Sequence, residues 1–205
     1  MEKPVVPDLY VASQSPRRRE LLQQIGVRHA VIRASVPEQP AVGERALDYV
    51  QRLAREKAAA GFAELQRQQL PLAPVLGADT LGLIDGVILE KPRDKAQAHA
   101  ILRQLSGRTH EVITAVALHS ESHQAQRLSI TRVTFRELSD AEIAAYWQTG
   151  EPQDKAGGYG IQGLGAVFIK EIHGSYSCVV GLPIEVTCEL LREFNVPWWS
   201  AGVGE

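Results

Sequence analysis

Cysteines and long apolar runs are both scarce in this sequence. Its 205 residues contain two cysteines, Cys178 and Cys188, which are too few for a disulfide framework and do not have zinc-site spacing. We interpret both as reduced thiols in the core, with a redox or metal role as the alternative. The longest apolar stretches, such as 112–118, have strand length and fall far below the ~18 residues of a membrane span, and residues 1–7 hold no apolar signal segment. These absences predict a cytoplasmic protein without a membrane partner.

A surplus of either charge is also absent. The chain carries 24 acidic and 22 basic residues, a net charge of −2. It therefore lacks the basic excess of most nucleic-acid-binding proteins, and we expect no nucleic-acid partner. Hydrophobic residues make up 44% and charged residues 22%, which is typical of a globular chain that buries a core. At ~100 to 200 residues per domain, we expect a single domain over 1–205, with 1–8 and 196–205 as tails.

The order of predicted helices and strands indicates an α/β fold. Capping residues and apolar residues at helical spacing predict helices that begin after Ser15, near Glu44, after Asp94, after Ser139 and at Pro183. Strands are predicted over 9–12, 30–33, 75–76, 80–84, 87–89, 111–119, 126–136 and 166–169, with a type I′ hairpin turn at Asp85-Gly86. Because helices and strands alternate at first and hairpins follow, we expect a mixed sheet flanked by helices.

Three arginines follow two serines at the first predicted strand-to-helix junction. In Ser13-Gln-Ser15-Pro-Arg17-Arg18-Arg19, the helix N-terminus offers unpaired N–H groups, the serines offer hydroxyls and the arginines supply positive charge. Basic residues destabilise the first turn of a helix unless an anion lies nearby, so this segment predicts phosphate binding. The alternative is that the arginines point into solvent and Ser15 only caps the helix.

Several acidic and basic residues can complete such a site. Asp79, in Gly-Ala-Asp79-Thr, follows an apolar strand, which is where sites occur in open α/β sheets. It can bind Mg²⁺ or Mn²⁺ or accept a proton from water; capping a turn is the alternative. Lysines next to acids occur at Lys57, Lys91 and Lys155. They are candidate phosphate ligands, and solvated charge pairs are the alternative.

Glycines are dense over 157–165, which we call the glycine-rich loop. Its segment 158–163 matches G-x-G-x-x-G, but a predicted strand follows instead of a helix, so the dinucleotide fingerprint is not expected. Glycine density favours close approach to a ligand, and the amide of Gln162 can both donate to and accept from a base edge. A plain tight turn is the alternative. The six histidines, at 29, 99, 110, 119, 123 and 173, are interpreted as surface residues.

As a set, these motifs resemble the Maf family of nucleoside triphosphate pyrophosphatases. The matching segments span about 9–195 in the family's order and spacing; they are 12–18, Glu38, 55–58, 77–80, 90–92, 105–107, 154–157, 160–163 and 180–183. The resemblance implies an elongated α/β fold related to inosine triphosphatases, with a long mixed sheet, two lobes around a cleft, and a homodimer. It also implies hydrolysis of a nucleoside triphosphate to a monophosphate and pyrophosphate with Mg²⁺ or Mn²⁺ as the divalent metal.

The resemblance also assigns residues. Arg17, Thr80 and Gln162 make the chain similar to the branch of the family that acts on dTTP and UTP, and are implied as specificity determinants. Asp79 is implied as the proton acceptor and, with Glu38, as a metal ligand.

One departure from the family pattern is Pro37, which occupies a position where the family often has a second acid. This leaves Glu38 to act with Asp79 and the phosphates.

The remaining assignments follow from charge. A triphosphate carries about four negative charges, so cations must neutralise the charge that moves to the leaving pyrophosphate. We expect Arg18, Lys57 and Lys91 to do so, and Ser13, Ser15 and Lys155 to bind substrate. The alternatives are a non-catalytic nucleotide-binding regulator of cell division, a phosphatase that releases orthophosphate, and a nucleic-acid-binding module.

Overall fold

The computed structural model describes residues 6–199 and has the predicted α/β fold. Over these residues the strands are Leu9–Val11 (β1), His29–Val31 (β2), Val75–Ile84 (β3), Val87–Leu89 (β4), Thr109–His119 (β5), Gln124–Phe135 (β6) and Ile169–His173 (β7). The α-helices are Pro16–Gln24 (α1), Ala46–Arg67 (α2), Lys95–Leu105 (α3), Asp140–Gln148 (α4), Tyr176–Val180 (α5) and Ile184–Glu193 (α6). Short 3₁₀ helices cover Glu151–Asp154, Ala156–Gly158 and Leu164–Phe168.

The sheet is mixed, as predicted. Its strand order within 6–199 is β2-β1-β3-β5-β6-β7, with β4 beside β3. Strand β1 pairs in parallel with β2 and β3, whereas β3–β4 and β6–β7 are antiparallel. No helix of the described segment 6–199 is long and apolar enough to cross a membrane.

The chain divides into two compact units, each with its own core. The first unit comprises the described parts of Met1–Asp79, Thr114–Leu128 and Gly181–Glu205. One of its apolar clusters consists of Tyr10, Ala12, Ile32, Phe62, Leu65 and Val75. The second unit comprises Thr80–Ile113 and Ser129–Val180. Its cluster includes Ile101, Leu102, Phe135, Ile143, Tyr146, Tyr159 and Phe168.

Local sequence signals determine most element ends. Asp85 and Gly86 have φ of 51° and 77° between β3 and β4, which confirms the type I′ hairpin. Asp94 caps α3 by accepting a hydrogen bond from the N–H of Gln97 at 2.8 Å. Ser139 and Glu142 form the predicted capping box of α4.

Three expectations were wrong or incomplete. The predicted strand 166–169 is instead the 3₁₀ helix Leu164–Phe168, and β7 begins only at Ile169. Hydrogen bonds from the N–H groups of Leu164 and Gly165 to Glu151 fold this segment away from a strand ladder. Helix α5 was not predicted.

His110 is the third correction, because only 2% of its surface is exposed, so it is not a surface residue. Of the predicted tails, residues 1–5 and 200–205 lie outside the described part of the chain. At the near end of the second tail, the N–H of Trp199 donates to the carbonyl of Ile25 at 2.6 Å.

Candidate active site

The N-terminus of α1 joins two serines to a half-buried arginine. Ser13 Oγ accepts hydrogen bonds from the N–H of Ser15 at 3.2 Å and from Arg18 Nη1 at 3.1 Å. Because a hydroxyl has two acceptor sites and one donor, the donor is the capacity that remains at Ser13. Ser15 is the N-cap residue, but over residues 6–199 its side chain makes no cap hydrogen bond. The junction thus presents a hydroxyl donor beside the N–H groups of a helix N-terminus, an arrangement that suits an anion.

Arg18 also connects α1 to the loop before α6. Its Nε donates to the carbonyl of Gly181 at 2.8 Å. Burial lowers the pKa of the Arg18 guanidinium, and the negative charges of Asp79 and Glu38 act in the opposite direction. The preceding residue, Arg17, is half-buried. Two N–H groups of Arg18 therefore make hydrogen bonds within the protein: Nη1 orients the Ser13 hydroxyl, and Nε holds the Gly181 carbonyl.

A lysine on α2 forms ion pairs with two carboxylates. Asp79 lies in the middle of β3, not at the end of a strand as expected, because the strands predicted over 75–76 and 80–84 are one continuous strand. Lys57 Nζ lies 2.7 Å from Asp79 Oδ1 and 2.7 Å from Glu38 Oε1 in the loop before α2. The Lys57 and Asp79 side chains are 14% and 13% exposed, whereas that of Glu38 is 59% exposed. Lys57 therefore pairs with residues distant in sequence, not with its neighbour Glu56, which binds Arg52. The solvated-pair alternative is wrong for Lys57.

A glycine sets the separation of Lys57 and Asp79. A Cβ atom added at Gly77 on β3 would collide with the carbonyl oxygen of Ala54 and the amide nitrogen of Ala58, and would lie 3.0 Å from Ala58 Cα. Helix α2 consequently lies with its backbone directly against β3. This contact brings the lysine at 57 and the carboxylate at 79 to hydrogen-bonding distance.

The carboxylates of Glu38 and Asp79 are the side chains of this site that could hold a divalent cation. Both already converge on one positive charge, the ammonium of Lys57, and carboxylate oxygens are the ligands that Mg²⁺ and Mn²⁺ prefer. Among residues 6–199, no group of three or more His, Cys, Asp or Glu side chains is arranged to hold a metal ion.

The other predicted site residues belong to the second unit. Thr80 follows Asp79 on β3 and is half-buried, and Lys91 is exposed just after β4. Lys155 is half-buried, and its Nζ donates to the carbonyl of Glu151 at 3.2 Å. Gln162 is exposed in the glycine-rich loop, in a turn closed by the N–H of Gly163 and the carbonyl of Gly160 at 3.2 Å.

Sequence reasoning missed four groups that hold these residues in place. They are the Gly181 carbonyl, the Tyr146 hydroxyl, the Glu151 carboxylate and the His110 imidazole. A glutamate in a polar loop is typical of a solvent-exposed residue, so nothing in its neighbourhood signalled a structural role for Glu151. Gly181 belongs to the segment Val-Gly-Leu-Pro, which was recognised only as a family motif.

Comparison with known proteins identifies the family to which the sequence is similar. A family model described as Maf-like protein matches residues 8–194. A protein from Saccharophagus degradans named dTTP/UTP pyrophosphatase is 59% identical over 193 residues, covering 94% of this chain and 91% of that protein. A protein from Escherichia coli K12 with the same name is 54% identical over 187 residues, covering 91% of this chain and 93% of its own length. A solved Vibrio cholerae structure has a TM-score of 0.33 at 14% identity over 61% of this chain and 62% of its own, too low to support a conclusion.

Proposed function

Since this chain belongs to the Maf family, we propose that it hydrolyses dTTP and UTP to the nucleoside monophosphate and pyrophosphate. Relatives at 54% and 59% identity carry the name dTTP/UTP pyrophosphatase, and they match the chain over nearly its whole length. The structural observation that carries the proposal is the convergence of Asp79 and Glu38 on Lys57 in the first unit. A carboxylate next to a cation is suited to activating water beside a phosphate.

The proposed chemistry is attack of water on the α phosphorus. As the new P–O bond forms, the water gives a proton to the Asp79 carboxylate, and the bond to the bridging oxygen breaks so that pyrophosphate leaves with the electron pair. Lys57 neutralises negative charge next to Asp79. Glu38 and Asp79 would hold Mg²⁺ or Mn²⁺, which would supply further charge neutralisation at the phosphates when bound. No covalent intermediate is needed.

We assign phosphate binding in the first unit to the α1 N-terminus. The hydroxyls of Ser13 and Ser15, the N–H groups of the first turn of α1 and the charge of Arg18 are the groups proposed to bind there. Arg17 is proposed to contribute to substrate selection.

In the second unit, we assign Lys91 and Lys155 to phosphate binding, and Thr80 and Gln162 to base selection. A lysine contact with phosphate is independent of the base, whereas a glutamine amide can pair with the donor and acceptor pattern of a pyrimidine edge. We also propose that the protein is a cytoplasmic homodimer. Light scattering at micromolar protein concentration measures the mass in solution, and a monomeric mass would contradict the dimer.

A nucleotide panel tests the proposed function. The purified protein is incubated with dTTP, UTP, CTP and GTP in Mg²⁺ or Mn²⁺, and products are separated by ion-exchange chromatography. We expect monophosphate and pyrophosphate in equal amounts, fastest from dTTP and UTP. Diphosphate and orthophosphate as first products, or binding without turnover, would contradict the proposal.

A further inference from the structure

A carboxylate outside the predicted site holds the glycine-rich loop. Glu151, just after α4, accepts the N–H of Leu164 at its Oε2 at 2.7 Å and the N–H of Gly165 at its Oε1 at 2.9 Å. The hydroxyl of Tyr146, on α4, donates to Glu151 Oε1 at 2.7 Å and accepts the N–H of Gly160 at 3.2 Å. One carboxylate, with one tyrosine hydroxyl, thus fixes the backbone on both sides of the loop's tip.

The fit between the loop and this carboxylate is close. A Cβ atom added at Gly160 would lie 2.9 Å from Glu151 Oε1, and one added at Gly163 would collide with Glu151 Oε2. Only residues without side chains allow the backbone to approach the carboxylate at these two positions. The space that Glu151 occupies therefore accounts for the glycine at 163 and, together with the Lys155 side chain, for the glycine at 160.

Glu151 is held in its charged form. Burial acts to raise its pKa, but the hydrogen bonds from Tyr146, Gly165 and Leu164, together with the charge of Lys155, outweigh burial and lower the pKa of the carboxyl. A charged carboxylate makes stronger hydrogen bonds to N–H groups than a neutral acceptor does. The glycine-rich loop is thus held by charge-assisted hydrogen bonds to the Glu151 carboxylate.

Gln162 lies in the three-residue segment 161–163 between these fixed points. It is exposed, and Tyr159 at the start of the segment is buried and hydrogen-bonded to His110 Nε2 at 2.7 Å. Since both sides of the turn are fixed, the Gln162 backbone has a defined position, and its side chain extends from a rigid base.

We propose that Glu151 is a positioning residue for base selection, which fixes the glycine-rich loop so that the Gln162 amide meets a pyrimidine edge in one orientation. This inference rests on the proposed function, because it assigns a role to the part of the site that distinguishes bases. Glu151 touches no reacting atom in this scheme. Its loss should therefore reduce discrimination between bases more than it reduces the rate on any single nucleotide.

Glu151→Gln is the variant that tests the proposal. The amide keeps the shape but has one acceptor oxygen, so its NH₂ group must face either the Leu164 N–H or the Gly165 N–H and Tyr146 hydroxyl. Tyr146→Phe is a second, milder variant that leaves both backbone contacts of Glu151 in place. Glu171→Gln, at an exposed position of β7, makes the same chemical change away from the loop and serves as the matched control.

Two measurements are made on each variant. Hydrogen exchange followed by mass spectrometry reports the protection of amides in peptides covering the glycine-rich loop and, for reference, α3. Steady-state kinetics give kcat and KM for dTTP, UTP and CTP. Because misplacing a positioned group by ~1 Å can cost up to ~100-fold, we expect Glu151→Gln to lower the ratio of kcat/KM for dTTP over CTP by roughly 10-fold. We expect kcat on dTTP itself to change less than this ratio, with faster exchange confined to the loop.

The outcomes separate the inference from the proposed function. Unchanged loop exchange in Glu151→Gln, or faster exchange with an unchanged base ratio, overturns the positioning role, as does an equal shift in Glu171→Gln. If Glu151→Gln does not fold, Tyr146→Phe is judged by the same criteria, with smaller effects expected. If the unmodified protein releases no pyrophosphate from any nucleotide, the proposed function fails and base selection falls with it, whereas the exchange data still decide whether Glu151 holds the loop.

Discussion

Acidification should destabilise this protein chiefly through one buried side chain, His110. The imidazole is 2% exposed, and its Nε2 lies 2.7 Å from the hydroxyl of Tyr159. Its ring packs edge-on against the rings of Phe135 and Tyr159, at centroid distances of 5.2 and 5.5 Å. Among the described residues its Nδ1 has no hydrogen-bond partner. Burial among these rings lowers the pKa of His110 from 6.5 to about 4.

The sign and size of the effect follow from this difference. The unfolded chain takes up a proton at His110 near pH 6.5, whereas the folded protein does so only near pH 4. Stability from the neutral imidazole is therefore fully present above about pH 6.5 and is lost as the pH falls toward 4. Between about pH 7.5 and about pH 5, linkage gives a loss of about 2 kcal/mol in the free energy of unfolding. Glu64 and Glu142, whose pKa values are about 2, keep most of their contribution at pH 5.

Urea denaturation of matched variants measures this loss. His110→Gln places an amide near the Nε2 position, where it can still bond the Tyr159 hydroxyl but cannot titrate, so its free energy of unfolding should fall by about 2 kcal/mol less than that of the unmodified protein over this pH interval. His173→Gln, on the exposed end of β7, is the control and should show the full loss. An equal pH dependence in His110→Gln and the unmodified protein would refute the assignment.

Three further substitutions test the site. Asp79→Asn should abolish turnover but keep nucleotide affinity within about 10-fold, because the amide cannot accept a proton from water; near-normal kcat would move the base elsewhere. Gln162→Ala should reduce the ratio of kcat/KM for dTTP over CTP roughly 5- to 150-fold, whereas Lys91→Ala should lower kcat/KM equally for all bases. An unchanged ratio in Gln162→Ala, or a changed ratio in Lys91→Ala, would show that the base and phosphate contacts are assigned to the wrong residues. Gly77→Ala should lower the free energy of unfolding by about 1 to 3 kcal/mol and should lower kcat more than 10-fold, because the added methyl displaces α2 and Lys57 from Asp79. Urea denaturation measures the first effect and steady-state kinetics the second. Values equal to those of the unmodified protein would contradict the close contact.

Elements with strong local signals were predictable from sequence. The Asp85-Gly86 turn and the caps at Asp94 and Ser139 depend on residues within a few positions, and the structure has them where expected. The segment 166–169 was mispredicted because its conformation depends on Glu151, a partner more than ten residues away. Short apolar segments carry no such information about distant hydrogen-bond acceptors.

The candidate site was also predictable only in part. The residue types at Asp79 and Lys57 indicated acid–base and phosphate chemistry, but their pairing depends on the packing of α2 on β3, which neither motif reveals. His110 was misassigned because a histidine within a polar segment, Arg-Thr-His-Glu, is typical of a surface position. The partners that bury it, Phe135 and Tyr159, lie far along the chain.

The contact at Gly77 has a consequence for how this protein tolerates sequence change. Peptide groups of α2 and β3 meet directly there, so the distance between helix and strand is set by atoms that every amino acid shares. The side chains of buried residues on α2, such as Leu53 and Leu65, are not part of this contact. Substituting them alters local volume but leaves the backbone contact between the helix and the strand in place. The geometry of the Lys57–Asp79 pair therefore depends on the absence of a side chain at Gly77.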